Sequence, residues 1–460
     1  MKTLPIYFIL LFFSQLNFAS GYSAAAIGMG STGIASHSPY NMNTLNPAIL
    51  SHPKAQPRFH FILPSLIGNI KAHQDIIDQY EQIEGENFLL KISNALIQMQ
   101  QNTSMLQNLT GETRKILLTF NQSLLQIDQK TVDLSIGIAT QLALIKKKWS
   151  IGFYSNLLFE AEGFANIDPC DNELLNNYML LMRYIQTVGL QGEFNATFAC
   201  KANKTPIPLL VAVAGKPFTL LSPLARDPST NRYLFDSSIP VVMMLLVEQG
   251  VTVSKRFDYP SFWLSMSITP KFQQFTTLFT NPDINSIDSN RFNISDQWQN
   301  NRTKQSFFNT DLGFALGHHR YPSWSIAMVM KNFFPSSFLT NPFIQEDTDR
   351  SQVRLHFKTQ WIAGITYRYK NRLRFSCDLD LNRKEGIFNH NDSQFLALGV
   401  DVQLFKKLQL RAGSRINLLS NTAIMYSLGL GMNLWGLHFD LGSQLGNNTA
   451  AIAAQMGLSF

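Results

Sequence analysis

From Leu134 onward the chain alternates apolar with small or polar residues at period two, the spacing that sends successive strand side chains to opposite faces. Leu134, Ile136, Ile138, Leu142 and Leu144 oppose Ser135, Gly137, Ala139 and Gln141. Leu396, Leu398, Val400, Val402 and Leu404 oppose Ala397, Gly399, Asp401 and Gln403. Leu373, Phe375, Cys377, Leu379 and Leu381 face away from Arg374, Ser376, Asp378, Asp380 and Asn382, and Leu408, Leu410, Ala412, Ile416 and Leu418 from Gln409, Arg411, Arg415 and Asn417. Roughly 15 such segments follow Leu134, and Pro57 to Ile67 reads as one more placed ahead of them.

A soluble sandwich would alternate in the same way, so the connections must decide. They run short at Lys146–Lys148, long at Ala161–Met182, short at Lys201–Pro206, long at Lys216–Pro240, short at Asp258–Pro260, long at Phe275–Gln305, short at His318–Pro322 and long at Asn332–Arg354. Beyond these come Lys370-Asn371, a medium break at Arg383–Asp392, Lys406-Lys407, and turns near Asn433 and Asn447. Short turns at one end and long loops at the other mark an outer-membrane barrel, and closure leaves no unpaired strand edge in lipid. The expectation is an all-β fold: a transmembrane antiparallel β-barrel of about 14–16 strands, an even number being usual.

Residues 68–133 break the pattern. Ile76, Ile77, Tyr80 and Ile83, then Leu89, Ile92, Leu96 and Met99, then Ile116, Leu117, Phe120, Leu124 and Leu125 recur near helical spacing, with Gly85 and Thr110-Gly111 as punctuation. An amphipathic helical insert is expected, capping or plugging one mouth if 56–67 is a spanning strand and docking in the periplasm if it is not. Met1-Lys2, the apolar run Leu4 to Phe13 and Ala19-Ser20-Gly21 predict a cleaved signal peptide over 1–21, hence export. The domain order expected is signal peptide 1–21, hatch or plug 22–55, first strand 56–67, helical insert 68–133 and barrel body 134–460.

Composition agrees with a lipid-facing sheet. Charged residues are 15% of 460, against about 25% in ordinary soluble chains, and Phe leads the aromatics with 35. Mean hydropathy of −0.04 excludes a polytopic helical membrane protein. The net charge of +7 is spread in small groups, none larger than Lys146-Lys147-Lys148, which argues against nucleic acid as a partner.

Gly28-x-Gly30-x-x-Gly33 matches a dinucleotide fingerprint as text only, because no strand precedes it. With Asn46-Pro47-Ala48 behind it, the stretch resembles the N-terminal hatch of FadL-type fatty-acid and hydrocarbon transporters, and more closely the TraF-like outer-membrane family named after a plasmid-transfer operon. Asp378-Leu379-Asp380-Leu381, Gln394-x-x-Ala397-Leu398-Gly399, Leu410 to Asn417 and Gly429-Leu430-Gly431 resemble that family's strand motifs in order and spacing. The resemblance implies a Gram-negative outer-membrane protein with a hatch at Gly28, Gly30, Gly33, Asn46, Pro47 and Ala48. It implies a role in envelope transfer, secretion or assembly, or alternatively a FadL-type channel for hydrophobic small molecules. The helical insert departs from simple FadL-type chains. The terminal Phe460, in register with Ile452, Ala454, Met456 and Leu458, resembles the signal read by barrel-assembly machinery. Expected partners are outer-membrane lipid and that machinery, with envelope or transfer proteins and apolar small molecules as candidates.

No enzyme constellation is present: no G-x-S-x-G, no H-E-x-x-H and no Walker loop. The protein is read as a non-enzyme without cofactor or metal; His318-His319 lacks an evident third ligand. Asp378 and Asp380, about 7 Å apart on one strand face, could serve as a glycosidase pair. The basic Arg374, Arg411 and Arg415 nearby instead suggest, with Asp401, a charge-balanced lumen wall. Cys170, Cys200 and Cys377 form no framework or C-x-x-C pair; Cys170 and Cys200 could bridge, or all three remain thiols.

Overall fold

The computed structural model describes residues 23–36, 45–52, 59–72, 88–101, 105–146, 148–190, 193–197, 206–211, 219–220, 237–282, 293–321, 323–345, 349–370, 372–386, 392–405, 407–419 and 424–459. Fourteen antiparallel strands close into one barrel. They are β1 (Phe59–Ala72), β2 (Thr131–Lys146), β3 (Trp149–Phe164), β4 (Val241–Asp258), β5 (Phe262–Thr280), β6 (Thr303–His318) and β7 (Trp324–Lys331), then β8 (Gln360–Tyr369), β9 (Leu373–Asp380), β10 (Phe395–Phe405), β11 (Leu408–Asn417), β12 (Ile424–Leu434), β13 (Leu437–Gly446) and β14 (Thr449–Ser459). β14 pairs with β1 and closes the cylinder, with a bulge in β1 between Ile62 and Leu66 around Pro64, whose missing N–H breaks the ladder. Short turns join the strands at one end and long connections at the other. At Trp435-Gly436 both central residues take positive φ (50° and 88°), the twist a two-residue hairpin needs.

Alternation sorts the two faces. Ile138, Ile151, Val253, Ile326, Leu398 and Leu428 are among many apolar side chains exposed on the outside, while Ser135, Gln141, Thr252, Asp401 and Gln455 are buried inside. So continuous an apolar exterior suits lipid. No described helix is long and apolar enough to cross a membrane.

The wall is uneven. β2 to β6 have 16 to 19 residues, whereas β9 has 8 and β13 has 10, about the 9–11 residues that cross a bilayer. At the long-connection end the outward Leu134, Ala161, Met243 and Leu278 are covered by protein, through Ile294 and Trp298 of helix Ile294–Asn301 in the β5–β6 connection.

Above that tall side sits a cap with its own core. Among the described residues it holds α2 (Phe88–Gln101), α3 (Leu106–Ile127), α4 (Pro169–Val188) and a sheet of Phe194–Thr197, Pro206–Val211 and Thr219–Leu220; α1 (Ala24–Gly28) lies inside the barrel. Ile92, Leu96, Leu117, Phe120, Tyr178 and Met182 pack together there.

The structure corrects several expectations. β1 runs to Ala72 rather than Ile67, so the insert is shorter than 68–133, and it opens at the long-connection end. The segments flanking Lys201–Pro206 are not barrel strands; they belong to the cap sheet, whose strands of 4 and 6 residues are too short to cross. The break at Ala161–Met182 holds most of α4: Asp168 caps it by accepting from the Cys170 N–H, Pro169 opens it, and Leu174, Tyr178, Leu181 and Ile185 line its buried face. Asp171 then clasps the cap to the barrel by accepting from the Ser237 N–H at 2.5 Å. Cys170 is disulfide-bonded and Cys377 is free; Cys200, Phe460, residues 1–22 and the stretch from Ile76 to Ile83 lie outside the described residues.

Candidate functional site

The bore is crossed by residues 23–36 and 45–52. Helix α1, capped by Ser23, leans on β11 to β14 and β1. The 3-10 turn Pro47–Ser51 leans on the far side, against β2 to β6.

Glycine makes the close approach possible. Gly30 has φ +72°, and a Cβ on it would lie 2.7 Å from the Ser414 carbonyl oxygen and 2.8 Å from that of Leu398. On the wall opposite, Gly399 and Gly413 leave room for the Met29 and Gly30 backbone. A Cβ on Gly28 would fall 2.7 Å from the Gly429 Cα. Backbone therefore rests on backbone, a seat that any side chain would fill.

Side chains then hold the segment. The Asp378 carboxylate on β9 accepts from the Gly33 N–H at 2.6 Å and the Ile34 N–H at 3.0 Å. Arg374 donates to the Ser36 hydroxyl, and Ser325 donates to the Ala35 carbonyl at 2.8 Å. Asn46 donates to the carbonyls of Ile34 (3.1 Å) and Phe314 (3.2 Å), and its side-chain oxygen accepts from the Ala48 N–H at 3.0 Å. That bond caps the turn, and Pro47 at its first position fixes φ for it. Ser265 donates to the Ala48 carbonyl at 2.6 Å, and Ser51 bonds the Ser254 hydroxyl at 2.7 Å. Ile34, Leu45, Ile49 and Leu50 fill the remaining space against Trp263, Val329 and Ile362.

All six lumen residues named from sequence lie on the inner face. Arg374 bonds Asp401 at 2.7 Å, Arg411 lies 3.7 Å from Asp401 and 2.5 Å from Asp440, and His438 contacts Asp440. Asp380 accepts from the Phe395 N–H at 3.1 Å, and Arg415 stacks 3.7 Å above the Phe395 ring. Asp378 and Asp380 are thus each engaged with backbone, which leaves no carboxylate pair facing open space and speaks against the glycosidase reading. Among the described residues no His, Cys, Asp or Glu cluster could hold a metal.

Two further groups escaped the sequence reading. Lys271 bridges Glu248 (3.0 Å) and Asp311 (2.9 Å), with Gln273 and Tyr154 donating to Glu248 at 2.6 and 3.1 Å. Their inward parity could have been counted from outward Ile268, past Pro270. Higher in the bore, Phe275, Phe307, Phe338 and Phe357 form an aromatic nest with ring centroids 4.5 to 5.9 Å apart, joined by Leu158 and Leu246. Phe338 and Phe357 come from a hairpin in the β7–β8 connection, Ser336–Leu339 with Arg354–Phe357, which no period-two count would aim into the bore.

A family model described as the F plasmid transfer operon TraF protein matches residues 43–380. The chain belongs to that family. No curated protein matches it. Similar solved structures include the P. putida toluene transporter TodX (10% identity, 96% of this chain and 99% of that one, TM-score 0.46). A Pseudomonas aeruginosa FadL homologue is comparable (9%, 97% and 99%, TM-score 0.47). So is the CymD monoaromatic hydrocarbon channel (10%, 97% and 99%, TM-score 0.45).

Proposed function

We propose that this TraF-family protein is a non-enzymatic outer-membrane channel of a Gram-negative envelope, closed by residues 23–52 acting as a hatch. The observation that carries the reading is the seat itself. Its described residues, 23–36 and 45–52, cross the bore, yet they meet the wall through side-chain hydrogen bonds and glycine contacts rather than strand pairing, so they can leave without opening the barrel. Gly28 and Gly30 set the close approach, Gly33 gives its N–H to Asp378, and Asn46, Pro47 and Ala48 shape the far contact. Apolar small molecules are the cargo class proposed, with the aromatic nest as their resting place above the hatch and the ion pairs as the frame that keeps the seat in shape.

A second reading, an accessory role in envelope transfer or assembly, draws support from the cap, where Leu90 and Ile97 on α2, Leu118 and Leu125 on α3 and Leu180 on α4 remain exposed. Deleting residues 23–52 and recording single channels in planar bilayers tests the first reading. A folded barrel with raised conductance is expected; an inserted barrel with wild-type conductance would sink the hatch.

A further inference from the structure

The short-turn rim carries the protein's charge asymmetry. Lys146, Lys148, Lys255, Arg320, Lys370, Arg372 and Lys407 stand in or beside the short turns, where Asp258 is the sole acidic residue among the described ones. Asp258 is already paired, with Lys148 at 3.1 Å and Arg256 at 2.9 Å. Among the described residues of the long connections at the opposite end, acidic and basic residues are nearly balanced. The excess behind the +7 net charge therefore gathers on one rim.

Aromatic side chains stand with these cations around the circumference. Lys255 lies 4.5 Å over the Trp149 ring, Arg320 5.8 Å from Tyr321, Lys370 5.1 Å from Tyr369 and Lys407 5.2 Å from Trp435. Trp435 is 88% exposed, which is costly in water and suited to a membrane–water interface, where indole and phenol rings sit at headgroup level. A ring that holds an ammonium or guanidinium at that level leaves its remaining N–H groups to donate, and a phosphodiester accepts charge-assisted bonds from both groups.

We infer that the short-turn rim is a collar that selects anionic phospholipid headgroups, such as phosphatidylglycerol, over zwitterionic ones. The inference rests on the membrane-spanning reading above. Four basic–aromatic pairs spaced around the barrel favour a ring of lipids over one docked acidic protein.

The test is electron paramagnetic resonance of the full protein in phosphatidylcholine bilayers, comparing spin-labelled phosphatidylglycerol with spin-labelled phosphatidylcholine. The motionally restricted fraction should favour the anionic lipid by on the order of fivefold, the gain typical of one Lys or Arg near a membrane surface, and the preference should shrink with salt. The variant Lys255→Gln, Arg320→Gln, Lys370→Gln, Lys407→Gln should lose it, with its heat-resistant mobility on gels showing that the barrel is folded. The exposed-cap control Lys91→Gln, Arg114→Gln, Lys115→Gln, Arg183→Gln should keep it. Restricted lipid without headgroup preference in the wild type, or a preference that the rim variant retains, overturns the collar and leaves the barrel reading intact. No restricted lipid of either kind would instead overturn the membrane-spanning reading.

Discussion

Replacing Gly30 by alanine should unseat the hatch while leaving the barrel whole. Gly30 holds φ +72°, a conformation that costs an L residue about 1–2 kcal/mol. The new Cβ would stand 2.7 and 2.9 Å from the Ser414 carbonyl oxygen and nitrogen and 2.8 Å from the Leu398 carbonyl oxygen. All three are wall backbone, fixed by the β10–β11 ladder in which Leu398 pairs with Ser414, so relief comes from moving the segment. Overpacking of this kind costs about 1–3 kcal/mol. Together the two effects raise the seated state by about 2–5 kcal/mol, which shifts the seated-to-open ratio roughly 30- to 5,000-fold. Single-channel recording of wild type, Gly30→Ala and Gly68→Ala reads that shift. Gly68 is the control because a Cβ there meets nothing within 4 Å. Opening should become frequent in Gly30→Ala alone. If a folded Gly30→Ala barrel gives traces indistinguishable from the control, the backbone-on-backbone seat does not govern closure.

Two other substitutions probe the side chains that hold the seat. Asp378→Ala removes the acceptor of two buried N–H groups, a loss of about 2–6 kcal/mol at 1–3 per orphaned group. Amide exchange at Gly33 and Ile34 should accelerate in proportion, and unchanged protection there would show that Asp378 is not a tether. Arg411→Met leaves the Asp440 carboxylate, at 0% side-chain exposure, with His438 as its remaining charged contact, which should destabilise the barrel by up to about 3–5 kcal/mol. A thermal midpoint equal to wild type would refute the view that the Arg374–Asp401–Arg411–Asp440 chain is one interdependent network.

Period two was legible in the chain because each barrel strand has lipid on one side and the packed bore on the other, so each side chain's face is decided locally. That is why Arg374, Asp378, Asp380, Asp401, Arg411 and Arg415 could be assigned inward from their neighbours alone, and why a closed barrel of 14 strands falls within the expected range. The Gly28-x-Gly30-x-x-Gly33 run and Asn46-Pro47 announced backbone that must pass close to something and then turn, a requirement that small residues and a capping Asn express in themselves. Residues 169–188 carried helical signals too, in Asp168-Pro169 and the Leu174, Tyr178, Leu181 spacing, but their many polar residues let them pass for a loop. What the seat touches was decided only in three dimensions. Asp378 meets Gly33 and Ile34 across more than 340 positions of chain, Gly30 meets Gly413, and a loop hairpin drops Phe338 beside Phe275. Sequence fixes the face each residue presents; closure of the cylinder decides which faces meet across the bore, and no local pattern encodes a partner hundreds of residues away.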